Sequence, residues 1–153
     1  KFKGLMKRQD VSYIEVNGKV NEFCLEDQSH IYSEDIHLQL EALYMHIQDA
    51  GFDYMIEHGL NEESQDYGVC HHTERLAIAF GILNSPQGSS IRIAKNLRVC
   101  RNCHMSTSIT SKVERREIII TDSYCVHRFR DGKCSCTIIN KQTFVHDNTS
   151  SNP

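Results

Sequence analysis

Residues 91–104 read IRIAKNLRVCRNCH, and two periods meet in them. Ile91, Ile93, Leu97 and Val99 alternate as a half-buried strand does, with Lys95 the single exception. The pattern predicts a strand over 91–99 that runs straight into Cys100-x-x-Cys103, followed by a helix over 101–113. Downstream, EIIITD (117–122) is a short continuous apolar run of the kind buried in the middle of a sheet. Upstream, HHTERLAIAF (71–80) opens a helix predicted from near His72 to about Leu83, apolar nearly all round and therefore buried. SPQGSS (85–90) ends it. Helix, strand, helix, strand in that order implies an α/β sandwich layered around a central sheet.

Further out the signals are those of ordinary structure. SYIEVNGKVNEF (12–23) places two short alternating runs around Asn17-Gly18, which predicts a β-hairpin. Ser33 reads as an N-cap with Glu34 and Asp35 in the first helical turn, Ile36, Leu40, Leu43 and Ile47 repeat at helical spacing, and Gly51 is the stop. EHGLNEESQDYG (57–68) is polar, acidic and aperiodic, a loop directly before the histidines that a lid over the site would require.

At 153 residues, 39% hydrophobic and 24% charged, the chain has the make-up of one ordinary globular domain. Its longest apolar run, Leu76 to Leu83, falls far short of the roughly 20 residues that cross a bilayer, so no membrane span is expected. It begins at Lys1 without a methionine and reads as a piece of something longer. The net charge of −3 is uneven. Residues 1–90 carry 6 Lys and Arg against 15 Asp and Glu, whereas residues 91–133 carry 10 against 4, a local excess of +6. A basic segment of that kind suits a polyanion, and a solvated mixed-charge surface suits it as well.

The seven cysteines are more informative in spacing than in number. Cys100-x-x-Cys103 and Cys134-x-Cys136 lie near histidines and read as metal ligands of a reducing compartment; a redox or strained disulfide is the alternative for the second pair. Cys24, Cys70 and Cys125 stand alone, as small buried apolar residues do. His72-x-Glu74 and Cys100-x-x-Cys103 both fall in first turns of predicted helices. Residues two apart share no face of a regular helix, so His72 and Glu74 converge only at the helix entry. A helix N-terminus favours the thiolate that zinc requires. One histidine and two cysteines leave a fourth tetrahedral position for water, the arrangement of a catalytic site. Zinc-water chemistry also needs a base, which Glu74 supplies. H-x-E followed by P-C-x-x-C is the pattern of zinc nucleobase deaminases, and here Val99 stands in place of the proline.

HTERLAIAFGIL, IRIAKNLRVCRNCH, REIIITDS and HRFRDGKCSC together resemble the DYW domain, the cytidine-deaminase-like C-terminal domain of plant pentatricopeptide-repeat RNA-editing factors, and QDVSYIEVNGKVNEF resembles the segment that joins it to the repeats. The resemblance spans about residues 9–136. It implies a three-layer α/β/α sandwich around a mixed central sheet, with an N-terminal hairpin and helix and a zinc-pinned C-terminal segment. The chain then divides into a joining segment (1–24), the deaminase domain (25–140) and a tail (141–153) whose polar composition predicts disorder.

The activity implied is conversion of specific cytidines to uridines in organellar RNA, hydrolysis of the C–N bond of a cyclic amidine. His72, Cys100 and Cys103 would hold a catalytic zinc whose bound water is the nucleophile, with Glu74 as proton shuttle. His104, His127, Cys134 and Cys136 would hold a second, structural zinc. His71 takes no part. The partners implied are single-stranded RNA, with Arg98 and Arg101 as candidate contacts, pentatricopeptide repeats in cis or in trans and other editing proteins; the compartment is the mitochondrion or plastid. The chain departs from the family in three places: TIIN follows Cys136 where the family ends in Asp-Tyr-Trp, Gln9-Asp10 replaces Pro-Gly, and Tyr13 replaces a Trp. These departures leave an alternative, a catalytically weak zinc-stabilised module that binds RNA or an editing partner.

Overall fold

The computed structural model describes residues 9–24, 33–51 and 72–136. The loop 57–68, Cys70, His71 and the tail beyond Cys136 lie outside them. β1 (Val11–Val16) and β2 (Lys19–Cys24) form the expected hairpin. Asn17 and Gly18 both take positive φ, 55° and 77°, the turn whose twist matches its strands. α1 (Ser33–Asp49) buries Ile36, Leu43 and Ile47, keeps Leu40 half-buried, and gives way to Gly51 at φ 96°. Then follow α2 (Thr73–Asn84), β3 (Ile91–Lys95), α3 (Arg101–Val113), β4 (Ile118–Thr121), β5 (Val126–Arg130) and β6 (Lys133–Cys134).

The six strands form one mixed sheet in the order β2-β1-β3-β4-β5-β6. β3 and β4 run parallel, joined by the crossover through α3, and the other described pairs are antiparallel. The hairpin is part of this sheet, since Ser12, Tyr13 and Ile14 pair with Lys95, Ala94 and Ile93. β4 lies centrally, which is why Ile118, Ile119 and Ile120 are all buried.

β3 ends at Lys95 and not at Val99. Asn96 stops the ladder: its side-chain carbonyl accepts the Val11 N–H at 2.9 Å and its amide donates to the Gln9 carbonyl at 2.6 Å. Val99 remains buried, but its N–H turns to the Asp122 carboxylate.

α2 lies directly on β1 and β3. A Cβ at Gly81 would sit 2.8 Å from Ile14 Cδ1 and 3.2 Å from Ile91 Cγ2, so glycine sets this approach. Ala77, Ile78, Ala79 and Phe80 complete a core with Ile14, Phe23, Ile36, Ile91, Ile93, Ile118, Ile120 and Phe129. Each fully buried Ile or Phe contributes about 1.5–3 kcal/mol. α1 packs on α2 and α3, and His46 meets Glu114 at the end of α3 at 3.2 Å. The buried Arg116 guanidinium donates to the Ser85 and Pro86 carbonyls, fastening the end of α2 beside β4. Tyr13, Glu15, Arg92, Ala94, Arg128 and Arg130, on alternate strand positions, are exposed. Among the described residues no helix is long and apolar enough to cross a membrane.

Candidate functional site

The entry to α2 is irregular. His72 occupies the N-cap position with φ 62° and ψ 33°, a left-handed conformation that costs a non-glycine residue on the order of 1–2 kcal/mol. Its successor is tied down from β1 and the residue before it: the Thr73 N–H donates to Asp10 Oδ2 at 3.4 Å, and the Thr73 and Ser12 hydroxyls lie 2.8 Å apart. His72 and Glu74 therefore flank the irregular entry of α2, two residues apart.

α3 begins differently. Cys100 is its N-cap in extended conformation, and its sulfur accepts the Cys103 N–H at 3.4 Å. The C-x-x-C spacing thus places both sulfurs at the positive end of a helix. Cys100 and Cys103 are buried, and His72 Nδ1 lies 3.0 Å from Cys103 Sγ and 3.8 Å from Cys100 Sγ. Burial alone would lower the pKa of the Arg75 guanidinium; the neighbouring Cys103 and Tyr44, with Glu74 behind them, instead raise it above its usual value.

Glu74 is fully buried. Lys95 Nζ donates to its Oε1 at 2.9 Å and lies 2.7 Å from Asp10 Oδ1, with all three side chains at 0% exposure. Glu74 Oε2 has no hydrogen-bond partner among the described residues.

A second group forms where α3 faces the C-terminal strands. The turn Asp131-Gly132, at φ 54° and 85°, folds β6 back on β5 and brings Cys134 opposite Phe129. His104 Nε2 lies 3.1 Å from Cys136 Sγ, His127 Nδ1 lies 3.3 Å from Cys136 Sγ and 3.8 Å from Cys134 Sγ, and the two sulfurs are 3.5 Å apart. Burial pushes the Cys134 thiol up, but hydrogen bonds from His104 and His127 outweigh it and bring its pKa down to about 5. Both groups suit a metal: within each, the ligand atoms lie within 4.8 Å of one another. Ligand atoms on a tetrahedral zinc are separated by about 3.4–3.8 Å. The first group has three donors and the second four. Cys103 and His104, adjacent on α3, belong to different groups.

Asp122 links the two. Its Oδ2 accepts the Val99 N–H at 2.8 Å, one residue before Cys100, and meets His127 Nε2 at 3.0 Å; its Oδ1 accepts the N–H groups of Tyr124 and Cys125. Burial raises the Asp122 carboxyl, and these bonds, that from His127 foremost, take it well below the ordinary carboxylate range. The bond to Asp122, followed by that to Cys134, pushes His127 up to about 11. Asp122, Cys125 and His127 also cluster, with Asp122 already accepting three backbone N–H groups. Cys125 is exposed and Cys24 half-buried, so the reading of the lone cysteines as buried core fails for both.

Every residue expected in the two ligand sets is brought to its own cluster. Arg98 and Arg101 are exposed near Cys100, and the Arg98 guanidinium lies 4.2 Å above the ring of the exposed Tyr124. Asp10, Lys95 and Asp122 were missed by the sequence reading. Lys95 had announced itself as the charged exception on an apolar strand face, and Asp10 as a departure from the family pattern.

A family model described as the DYW family of nucleic acid deaminases matches residues 46–139. A pentatricopeptide repeat-containing protein of Arabidopsis thaliana is 42% identical over 140 residues, covering 89% of this chain and 20% of that protein. A chloroplastic one from the same plant is 42% identical over 89% of this chain and 16% of its own length, and a mitochondrial one of Oryza sativa subsp. japonica is 38% identical over 82% and 22%. The chain therefore spans about a fifth of the length of the curated relatives it matches. With a family model over most of its length and two clusters of side chains suited to a metal, the chain belongs to the DYW family of nucleic acid deaminases.

Proposed function

We propose that this chain is the catalytic part of a zinc-dependent RNA cytidine deaminase that converts chosen cytidines to uridines. The observation that carries the reading is Glu74, fully buried two residues from His72, with one oxygen held by Lys95 and the other without a hydrogen-bond partner among the described residues. A carboxylate that only completed an ion pair would have no reason to stand two residues from a histidine of a three-donor metal group. His72, Cys100 and Cys103 would hold the catalytic zinc; His104, His127, Cys134 and Cys136 would hold a structural one, giving two per chain. When bound, the first zinc would supply a water acidic enough to act as nucleophile near neutral pH.

The chain's own residues carry the remaining work. Glu74 takes a proton from the attacking water through Oε2 and delivers it to N3 of the pyrimidine, then takes the proton of the new C4 hydroxyl and delivers it to the amino group, which departs as ammonia. α2 buries its apolar sides in the core and so holds His72 and Glu74 in fixed relation. The second cluster pins the C-terminal hairpin against α3. The exposed Arg98 and Arg101, within the basic segment 91–133, bind phosphates of a single-stranded substrate.

The relatives are named as pentatricopeptide repeat-containing proteins, and some as chloroplastic or mitochondrial. On that support the chain works beside such repeats, in cis or in trans and with other editing proteins, in one of those organelles. Residues 1–24 would join the repeats to a deaminase domain of 25–140, with 141–153 as a tail. The test is to supply zinc-loaded protein with repeats and a cytidine-containing RNA, and to compare wild type with Glu74→Ala. Uridine is expected from wild type and at least about 100-fold less from the variant; equal yields contradict the assignment.

A further inference from the structure

We propose that Asp10 is a positioning residue for Glu74, acting through Lys95, and that the segment leading into β1 thereby belongs to the active site; this rests on the reading of Glu74 as the proton carrier. Asp10 is 1% exposed, and its two oxygens do different things. Oδ2 accepts the Thr73 N–H, bracing the turn in which His72 is left-handed. Oδ1 lies 2.7 Å from Lys95 Nζ, which donates to Glu74 Oε1 at 2.9 Å.

An ammonium has three donors on a flexible stem, and one facing a carboxylate alone is free to engage both oxygens. With Asp10 also drawing on its ammonium, Lys95 is kept on Oε1, and Oε2 has no hydrogen-bond partner among the described residues. The chain keeps this arrangement despite its cost. Three charged groups are out of water, where a buried charge that loses its partner is strongly destabilising. Ser12, two residues on, adds its hydroxyl to Thr73. Asp10, just before β1, and Ser12, within it, therefore hold the residue between His72 and Glu74.

The test uses zinc-loaded protein with its repeats and a cytidine-containing RNA, comparing wild type, Glu74→Ala, Asp10→Asn and Asp10→Glu. Asn keeps a carbonyl for the Thr73 N–H and removes the charge that restrains Lys95; Glu returns the charge. Asp10→Asn is expected to lower kcat by about tenfold or more, with the KM for RNA within about twofold and zinc content unchanged, and Asp10→Glu to recover part of the loss. Asp10→Ser, a smaller side chain, carries the same expectation should Asn not pack. A crystal structure of Asp10→Asn should find Lys95 Nζ bonded to both oxygens of Glu74.

Wild-type kcat in Asp10→Asn, while Glu74→Ala abolishes turnover, would overturn the inference and leave the functional reading standing. Zinc and kcat lost in parallel, or an unchanged Lys95–Glu74 contact in the crystal, would also overturn it. Full activity in Glu74→Ala would instead remove the functional reading, and this inference with it.

Discussion

His72, Glu74, Cys100 and Cys103 were legible because their chemistry is written in local spacing: helix entries gather residues two or three apart whatever the rest of the chain does. Their supports were not, because a buried polar group is defined by neighbours far along the chain. Glu74 meets Lys95 at a separation of 21 residues, and Asp10 meets Thr73 at 63. Asp122 is the clearest case, an ordinary residue in sequence and the carboxylate partner of His127 in space. A carboxylate on the far nitrogen of a metal-binding histidine fixes its tautomer and raises its basicity. Asp122→Asn should therefore weaken zinc binding at the second cluster by about 10–100-fold, read by competition with a chromophoric chelator. An unchanged affinity would mean that His127 needs no such partner.

Among the elements, the hairpin, the helices α2 and α3 and the central strand were readable from turn residues and apolar period. The end of β3 was not. Alternation continues through Leu97 and Val99, but the Asn96 side chain takes Val11's N–H and closes the ladder, a tertiary contact with no periodic signature. β6, paired over two residues, is too short for a pattern, though Asp131-Gly132 was a usable turn signal. The close seat of α2 was equally hidden in a glycine within an apolar run. Gly81→Ala gains about 1 kcal/mol of helix propensity and loses about 1–3 kcal/mol to overpacking against Ile14 and Ile91. The net expectation is destabilisation by about 1 kcal/mol, a fall in Tm of a few degrees in a thermal melt. A raised Tm would mean that the contact relaxes freely.

For the whole molecule, the α/β class followed from element order, whereas the joining of the two clusters did not. They share α3 through Cys103 and His104 and share Asp122 through Val99 and His127. Removing metal with a chelator should lower Tm and speed amide exchange in β5, β6 and the first turn of α3, while the β1–β2 hairpin changes least. Uniform exchange throughout would contradict so local a role.

The central claim is that Glu74 and a metal-activated water replace the amino group of a cytidine. The measurement closest to it is mass spectrometry of the product RNA after reaction in ¹⁸O-labelled water. The account predicts one ¹⁸O at C4 of each new uridine, in step with ammonia released. Uridine formed without the label, or no uridine from protein carrying its metal and its repeats, would contradict it.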